Sequence, residues 1–282
     1  MIHYITSDGL GQPWVGNELR IVTHTGIPVV LHAMRSPTQL HFESPWAQGL
    51  ARETKVLYPL PVVGMVISLL VAPFLFRSRW AAALTNAVLG QRENLRARVS
   101  ALAHFFVACH WARGLRGMPV SHIHSQWAYS SGTIGMYGAW LLGKSFSFTG
   151  HAADLFRDRV ALRDKVRRAA FIVCISEFHR QFFLSEGARP DQLRLVYCGI
   201  DVTKFFPQSL SPVDQVLKIR SSGRLVEKKG FEYLIDACSI LRQRGIVFDC
   251  VIAGSGPLEQ ELRDQVNRQK LDDQVTITGA AI

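Results

Sequence analysis

The chain has 282 residues, 48% hydrophobic and 19% charged, with a formal net charge of +10. That length suits one large or two ordinary domains, and the balance excludes a disordered polymer. Residues 211–282 hold ten basic and ten acidic side chains, so the whole excess lies in 1–210 and calls for an anionic partner: a membrane surface, a nucleotide or a nucleic acid. Cys109, Cys174, Cys198, Cys238 and Cys250 form no C-x-x-C pair, which reads as buried thiols in a reducing compartment and not as a disulfide framework or a zinc site. The start, MIHYITSDG, lacks the basic head and apolar core of a cleaved signal peptide.

In chain order, Ile2–Thr6 reads as a strand, then a loop SDGLGQPWVGNE, helical residues 19–25 and a strand Pro28–Ala33. Val62–Phe76 is fifteen residues without a charge, followed by Arg77, Arg79 and Trp80. It is short for a membrane span and Pro73 interrupts it. A buried helix, an interfacial segment and a span all remain open. Arg92–Ala112 reads as a long helix with Arg92, Arg96, Arg98 and Arg113 toward solvent. A strand Ser121–His124 follows, then a small-residue helix 131–142, a strand Ser145–Thr149 and a basic helix 161–169. Strand Phe171–Ile175, helix Glu177–Ser185 and strand Leu193–Val196 complete this part.

Residues 199–214 are punctuated by glycine, proline and serine, and the domain boundary is placed there, giving domains 1–210 and 211–282. Beyond it come strands 216–222, 247–253 and 274–278 and helices 229–244 and 257–269. Phe231, Leu234, Ile235, Cys238 and Leu241 make one apolar face. Alternating strands and helices predict an α/β fold with a parallel sheet in each domain, the second with only three strands.

Ligands in such sheets bind beyond the carboxyl ends of the strands. Four segments end there: Gly9–Glu18, SFTGHAADLF with His151 and Asp154, Ser222–Gly230, and Gly254–Leu258. A cleft between the domains would gather all four. Arg224 and Lys229 flank a strand-to-helix turn and suit one diphosphate; a paired arginine and a solvated helix start explain them too. Gly254-Ser255-Gly256-Pro257 puts proline at a first helical position, and its amides could face a nucleotide or form a simple turn. Ser176 reads as a helix cap, with no G-x-S-x-G around it. His122 and His124 point the same way. The absence of H-E-x-x-H and of a D-x-D pair leaves no demand for a metal. No nucleic-acid motif is present.

GRLVEKKGFEYLIDA, IAGSGPLEQEL and FIVCISEFHRQFF followed by LRLVYCGIDVTKFFP together resemble the family 4 glycosyltransferases. SHIHSQWAYSSGTIGMYGAWLLGKSFSFTGHAADLF resembles their exopolysaccharide branch, which makes polymers such as colanic acid. The resemblance implies the GT-B fold of two facing Rossmann-like domains and transfer of a sugar from a nucleotide-diphosphate donor with retained configuration, without cofactor. It implies that Arg224 and Lys229 hold the diphosphate and that His151 lies near the transferred sugar with Asp154 in its loop. Gly254 and Gly256 would lie beside base and ribose, Glu18 in the acceptor loop, and Ser176 and Glu177 in the family's S-E turn. The acceptor would be a saccharide, often lipid-linked, with the cytoplasmic enzyme resting on an anionic membrane through Arg77, Arg79, Trp80 and the 62–76 run, aided by the runs Arg157–Arg159 and Arg163–Arg168. The sequence departs from the family in two ways. It ends before the glutamate-x7-glutamate motif, so the second domain is expected to be incomplete and the chain to transfer little sugar. GLGQPWVGNE also lacks the usual adjacent glycine pair. A sugar-nucleotide-binding chain without catalysis, or one dependent on a partner, is the alternative.

Overall fold

The computed structural model describes residues 1–37, 44–199 and 216–279. The chain divides into two compact units, Met1–Phe205 and Phe206–Ile282. The expected break at 210 and most of the GIDVTKFFP segment lie outside the described residues.

The first unit holds seven strands: β1 (Ile2–Thr6), β2 (Val29–Ala33), β3 (Lys55–Val56), β4 (His122–Gln126), β5 (Ser145–Gly150), β6 (Phe171–Cys174) and β7 (Leu193–Leu195). All pair in parallel, in the order β3-β2-β1-β4-β5-β6-β7. The order turns around between β1 and β4, so the loops leaving these strands part and open a crevice at their carboxyl ends. Its helices are α1 (Pro13–His24), α2 (Pro45–Glu53), α3 (Val62–Leu89), α4 (Leu95–Leu115), α5 (Ser130–Leu142), α6 (Ala153–Phe156), α7 (Leu162–Arg168) and α8 (Glu177–Ser185).

α5 explains its own composition. Every residue from Ser131 to Ala139 is buried, and a Cβ on Gly138 would sit 2.7 Å from the Trp111 ring. A helix enclosed on nearly all sides needs small residues where neighbours press closest.

Three expectations are corrected here. α1 begins at Pro13 rather than near 19, because proline at the first turn lacks only an N–H that the helix does not use. Trp14, Asn17 and Glu18 therefore stand on a helix and not in a loop. Arg92 is not a solvent residue of α4. Its side chain is fully shielded and reaches Asp164 at 2.7 Å and the Tyr137 hydroxyl at 3.0 Å. The apolar run is neither buried nor ended at Pro73. α3 runs on to Leu89 with its break at Arg77 (φ 49°, ψ −125°), and most of it faces outward.

The second unit carries β8 (Leu217–Ser222), β9 (Phe248–Ala253) and β10 (Val275–Ile277), paired in parallel in the order β10-β9-β8. Helices α9 (Phe231–Gln243) and α10 (Glu259–Arg268) supply Phe231, Ile235, Cys238, Leu262 and Val266 to its core. Leu234 and Leu241 pack at the edge of that core, as the helical spacing predicts. Pro257 lies in the turn before α10 and does not open the helix.

Candidate active site

In the first unit the crevice between β1 and β4 is walled by Asp8 and Gln12 on one side and Trp127, Tyr129 and Asp154 on the other. It encloses about 210 Å³. Trp127 holds φ at 80°, a conformation that costs a non-glycine residue about 1–3 kcal/mol. Two bonds keep it there: its N–H donates to Thr149 O at 3.1 Å, and its carbonyl accepts from Ser125 Oγ at 3.0 Å.

His151 follows β5 and is buried. Its ring lies 4.3 Å from the Trp127 ring and 5.8 Å from that of Trp14, centroid to centroid. Burial, with the charge of His179 behind it, lowers its pKa to about 4, so the imidazole is neutral near pH 7. Asp154 braces this corner. Its carboxylate accepts the backbone N–H of Ala128 at 2.6 Å and that of His151 at 2.9 Å, tying the loop after β4 to the loop after β5. Burial raises the Asp154 pKa while these two N–H groups oppose the rise.

Four buried polar atoms of this cluster have no hydrogen-bond partner among the described residues: Asp8 Oδ1, Trp14 Nε1, Trp127 Nε1 and His151 Nε2. Such an atom ordinarily costs about 1–3 kcal/mol, so four together mark a place built for a ligand with hydroxyl groups. Aromatic faces beside hydrogen-bonding atoms suit a sugar ring, which offers C–H faces and hydroxyl edges.

Glu18 joins the same neighbourhood from α1. The Tyr4 hydroxyl lies 3.0 Å from both Glu18 Oε1 and Gln126 Oε1, and its single proton serves one at a time. Burial raises the Glu18 pKa against the Tyr4 hydrogen bond. Glu18, Trp14, Asn17, Gln126 and Thr149 line a second cavity of about 390 Å³, closed on its apolar side by Val173, Ile175 and Tyr197. Ser176 caps α8, accepting from His179 N at 3.2 Å. Glu177 is exposed and engaged by Arg180 and Gln181 of its own helix at 2.9 and 2.8 Å, which lowers its pKa. The S-E turn thus contributes His179 behind His151, while the Glu177 carboxylate stays outside the cluster.

In the second unit the loops after β8 and β9 meet backbone to backbone. Gly223 N–H donates to Ala253 O at 2.9 Å, Leu225 N–H to Ser255 O at 3.0 Å, and Leu258 N–H to Leu225 O at 3.1 Å. A Cβ on Gly254 would lie 1.9 Å from Gly223 O, and one on Gly256 would lie 2.4 Å from Leu225 O. These glycines are required by the packing of the two loops. Lys229 ends a short 3₁₀ turn, and its Cε passes 3.8 Å from the Cβ position of Gly223, beside Arg224. Both cations are exposed, and neither makes an ion pair among the described residues. The pairing of Arg224 with an acidic neighbour is therefore not what the structure shows. Among the described residues no three His, Cys, Asp or Glu side chains converge as a metal site.

Trp14, Trp127, Tyr4 and Gln126 were not singled out by sequence. The available signal was a tryptophan directly after the end of β4 and another in the first turn of the helix that follows β1.

The fold is that of the GT-B glycosyltransferases. A glycosyltransferase of Rickettsia africae superposes with a TM-score of 0.63 at 13% identity, over 99% of this chain and 68% of that one. Anabaena Alr3699/HepE, solved with UDP and glucose, gives 0.56 at 14% identity over 100% and 69%. Residues 202–281 match the family Glycosyl transferases group 1. The putative colanic acid biosynthesis glycosyltransferase WcaL of Salmonella typhimurium is 32% identical over 113 residues, 40% of this chain and 28% of that protein. The amylovoran biosynthesis glycosyltransferase AmsK of Erwinia amylovora is 30% identical over 135 residues, 46% of this chain and 33% of that one. The chain is thus homologous to exopolysaccharide glycosyltransferases, and these matches span about a third of those relatives' length.

Proposed function

We propose that this chain belongs to a retaining glycosyltransferase of exopolysaccharide synthesis. It would move a sugar from a nucleotide-diphosphate donor to a saccharide acceptor carried on a lipid. The observation that carries the reading is the corner beside the β1–β4 crevice, where a neutral His151 packs against Trp14 and against Trp127, which lines the crevice, and where a polar ring atom of each of the three has no partner among the described residues. His151 would hydrogen-bond the transferred sugar, positioned by Asp154. Glu18 and Asn17 would meet acceptor hydroxyls. Arg224 and Lys229 would hold the diphosphate and stabilise charge on the leaving group, for which two exposed cations without acidic partners among the described residues are suited. The reading uses no metal. The cysteines are free; four are buried as expected and Cys198 is exposed instead, and free thiols suit a cytoplasmic setting.

The test is calorimetric titration of the 282-residue chain with UDP, the nucleotide seen in the Anabaena structure, and with other nucleoside diphosphates. A charge-assisted hydrogen bond is worth about 1.5–3 kcal/mol, so Arg224→Ala should weaken binding about ten- to a hundredfold. The same variant should leave the melting temperature unchanged. Binding that ignores both Arg224 and Lys229, or no binding of any nucleoside diphosphate, would sink the donor assignment. Transfer assayed on a chain of the relatives' full length, with and without His151→Ala, separates a catalytic protein from one that only binds.

A further inference from the structure

We propose that Glu93, at the junction of α3 and α4, is a positioning residue for the sugar crevice: it pins the far end of the loop that begins at His151. What the crevice takes rests on the transferase reading; the pinning itself does not. The Glu93 carboxylate accepts the backbone N–H of Ala161 through Oε2 and that of Leu162 through Oε1, both at 2.9 Å. These are the N–H groups that open α7, 68 and 69 residues further along the chain. Ala161 and Leu162 are buried, and N–H groups at a buried helix end need an acceptor. Ala161 also holds φ at 53°, a conformation that alanine keeps only where its surroundings fix it.

Two more side chains secure the same point. Lys165, wholly buried on α7, donates from Nζ to the carbonyl of Val160. Arg92, next to Glu93, reaches Asp164 of α7 at 2.7 Å. The α3–α4 junction thus grips the start of α7 twice, once by its backbone and once by a carboxylate. Residues 54–153 contain nine lysines and arginines and a single acid, Glu93. That one acid is turned to two N–H groups of α7 and makes no ion pair among the described residues.

The pinned loop carries part of the crevice. It leaves β5 at His151, where Asp154 ties its start to the loop after β4. It then supplies Ala153, Asp154 and Asp158 to the crevice wall. Its end, Val160 and Ala161, packs with Ala97 and Ala101 of α4 in a small core of its own, with Tyr129 against them. Tyr129 in turn lines the crevice. Between the loop and the start of α4 lies a cavity of about 70 Å³, bordered by Arg157 and Val160 on one side and Asn94 and Ser100 on the other. The middle of the loop therefore lacks close packing against α4, and its place is set by its two ends. Asp154 fixes one end and Glu93 the other. A side chain outside the crevice thus determines where Asp158 and Tyr129 stand within it.

The test is nuclear magnetic resonance of the 282-residue chain with Glu93→Ala and with Glu93→Gln, which keeps the volume and one acceptor. Amide hydrogen exchange at Ala161 and Leu162 should quicken about ten- to a hundredfold in Glu93→Ala, and at one of the two in Glu93→Gln. The ring resonances of His151 and the indole N–H of Trp127 should shift in both variants, while the indole N–H of Trp46 on α2 stays. With UDP and UDP-glucose as probes, Glu93→Ala should bind UDP as the wild type does and lower the preference for UDP-glucose over UDP about fivefold. Faster exchange at Ala161 and Leu162 with His151, Trp127 and that preference unmoved makes Glu93 a helix cap only and overturns the proposal. Unchanged exchange overturns it as well. A wild type that binds UDP-glucose no better than UDP counts against the sugar reading of the crevice, and the His151 and Trp127 resonances then decide the role of Glu93 by themselves. If Glu93→Ala fails to fold, Glu93→Gln carries both readouts.

Discussion

Asp154→Asn keeps the size of a buried side chain and changes only what it can accept. The carboxylate takes two backbone N–H groups, from Ala128 at 2.6 Å and His151 at 2.9 Å. An amide has one carbonyl oxygen, so one of those N–H groups would face an NH₂. A hydrogen bond to a charged acceptor is worth about 1.5–3 kcal/mol, and an orphaned buried donor costs about 1–3 kcal/mol. The neutral amide recovers part of the carboxylate's desolvation, the same burial that raises the Asp154 pKa. The net expectation is a loss of about 2 kcal/mol. All six tryptophans lie in the first unit, so urea unfolding followed by their fluorescence reports that unit alone. The ring resonances of His151 should shift in the same variant, because its backbone anchor is gone. An unchanged urea midpoint with unchanged His151 resonances would refute the bracing role of Asp154.

Acidification should destabilise the first unit in a defined window. Burial lowers His124 to about 3 and His151 to about 4, below an ordinary value of 6.5. The unfolded chain therefore binds protons that the folded one refuses, and stability present above pH 6.5 is lost as pH falls toward 4. At about 1.4 kcal/mol per unit, His151 alone contributes about 3 kcal/mol to that loss. Tryptophan-detected melting that stays level from pH 7 to 4.5 would contradict it. In the second unit, Gly256→Ala would drive a Cβ to 2.4 Å from Leu225 O and should cost about 2 kcal/mol, read as faster proteolysis of residues 216–279.

Most strands and helices were legible because each is an apolar run or an apolar stripe of the right period. Glu177–Ser185 needed nothing more than Ser176 as its cap. Pro13 concealed the start of α1, since proline after Gln12 reads equally as loop or first turn. Arg92 was misplaced because its partners Tyr137 and Asp164 lie 45 and 72 residues away, beyond any local pattern. The outward face of α3 was illegible for another reason: hydropathy measures apolarity and says nothing about which side finds a neighbour. At the site, His151 and Asp154 stood out within one motif. Trp14 and Trp127 are drawn together by the strand order, 113 positions apart in the chain.

His122 and His124, read as pointing the same way, do so for a purpose within the sheet. The His122 ring meets Ser145 Oγ and Ser147 Oγ at 2.7 and 2.6 Å, and the His124 ring meets Ser147 Oγ and Thr149 Oγ1 at 2.8 and 3.2 Å. Apolar strands can exchange neighbours by sliding two residues and still bury a hydrocarbon face. β4 and β5 are denied that freedom. A two-residue slide would leave an imidazole or a hydroxyl unmatched at the end of the ladder, and a one-residue slide would turn the whole row toward the face that carries Ile123 and Phe148. Alignment of the two strands is thus encoded as a key of donors and acceptors, and with it the position at which each strand ends beneath Trp127 and His151.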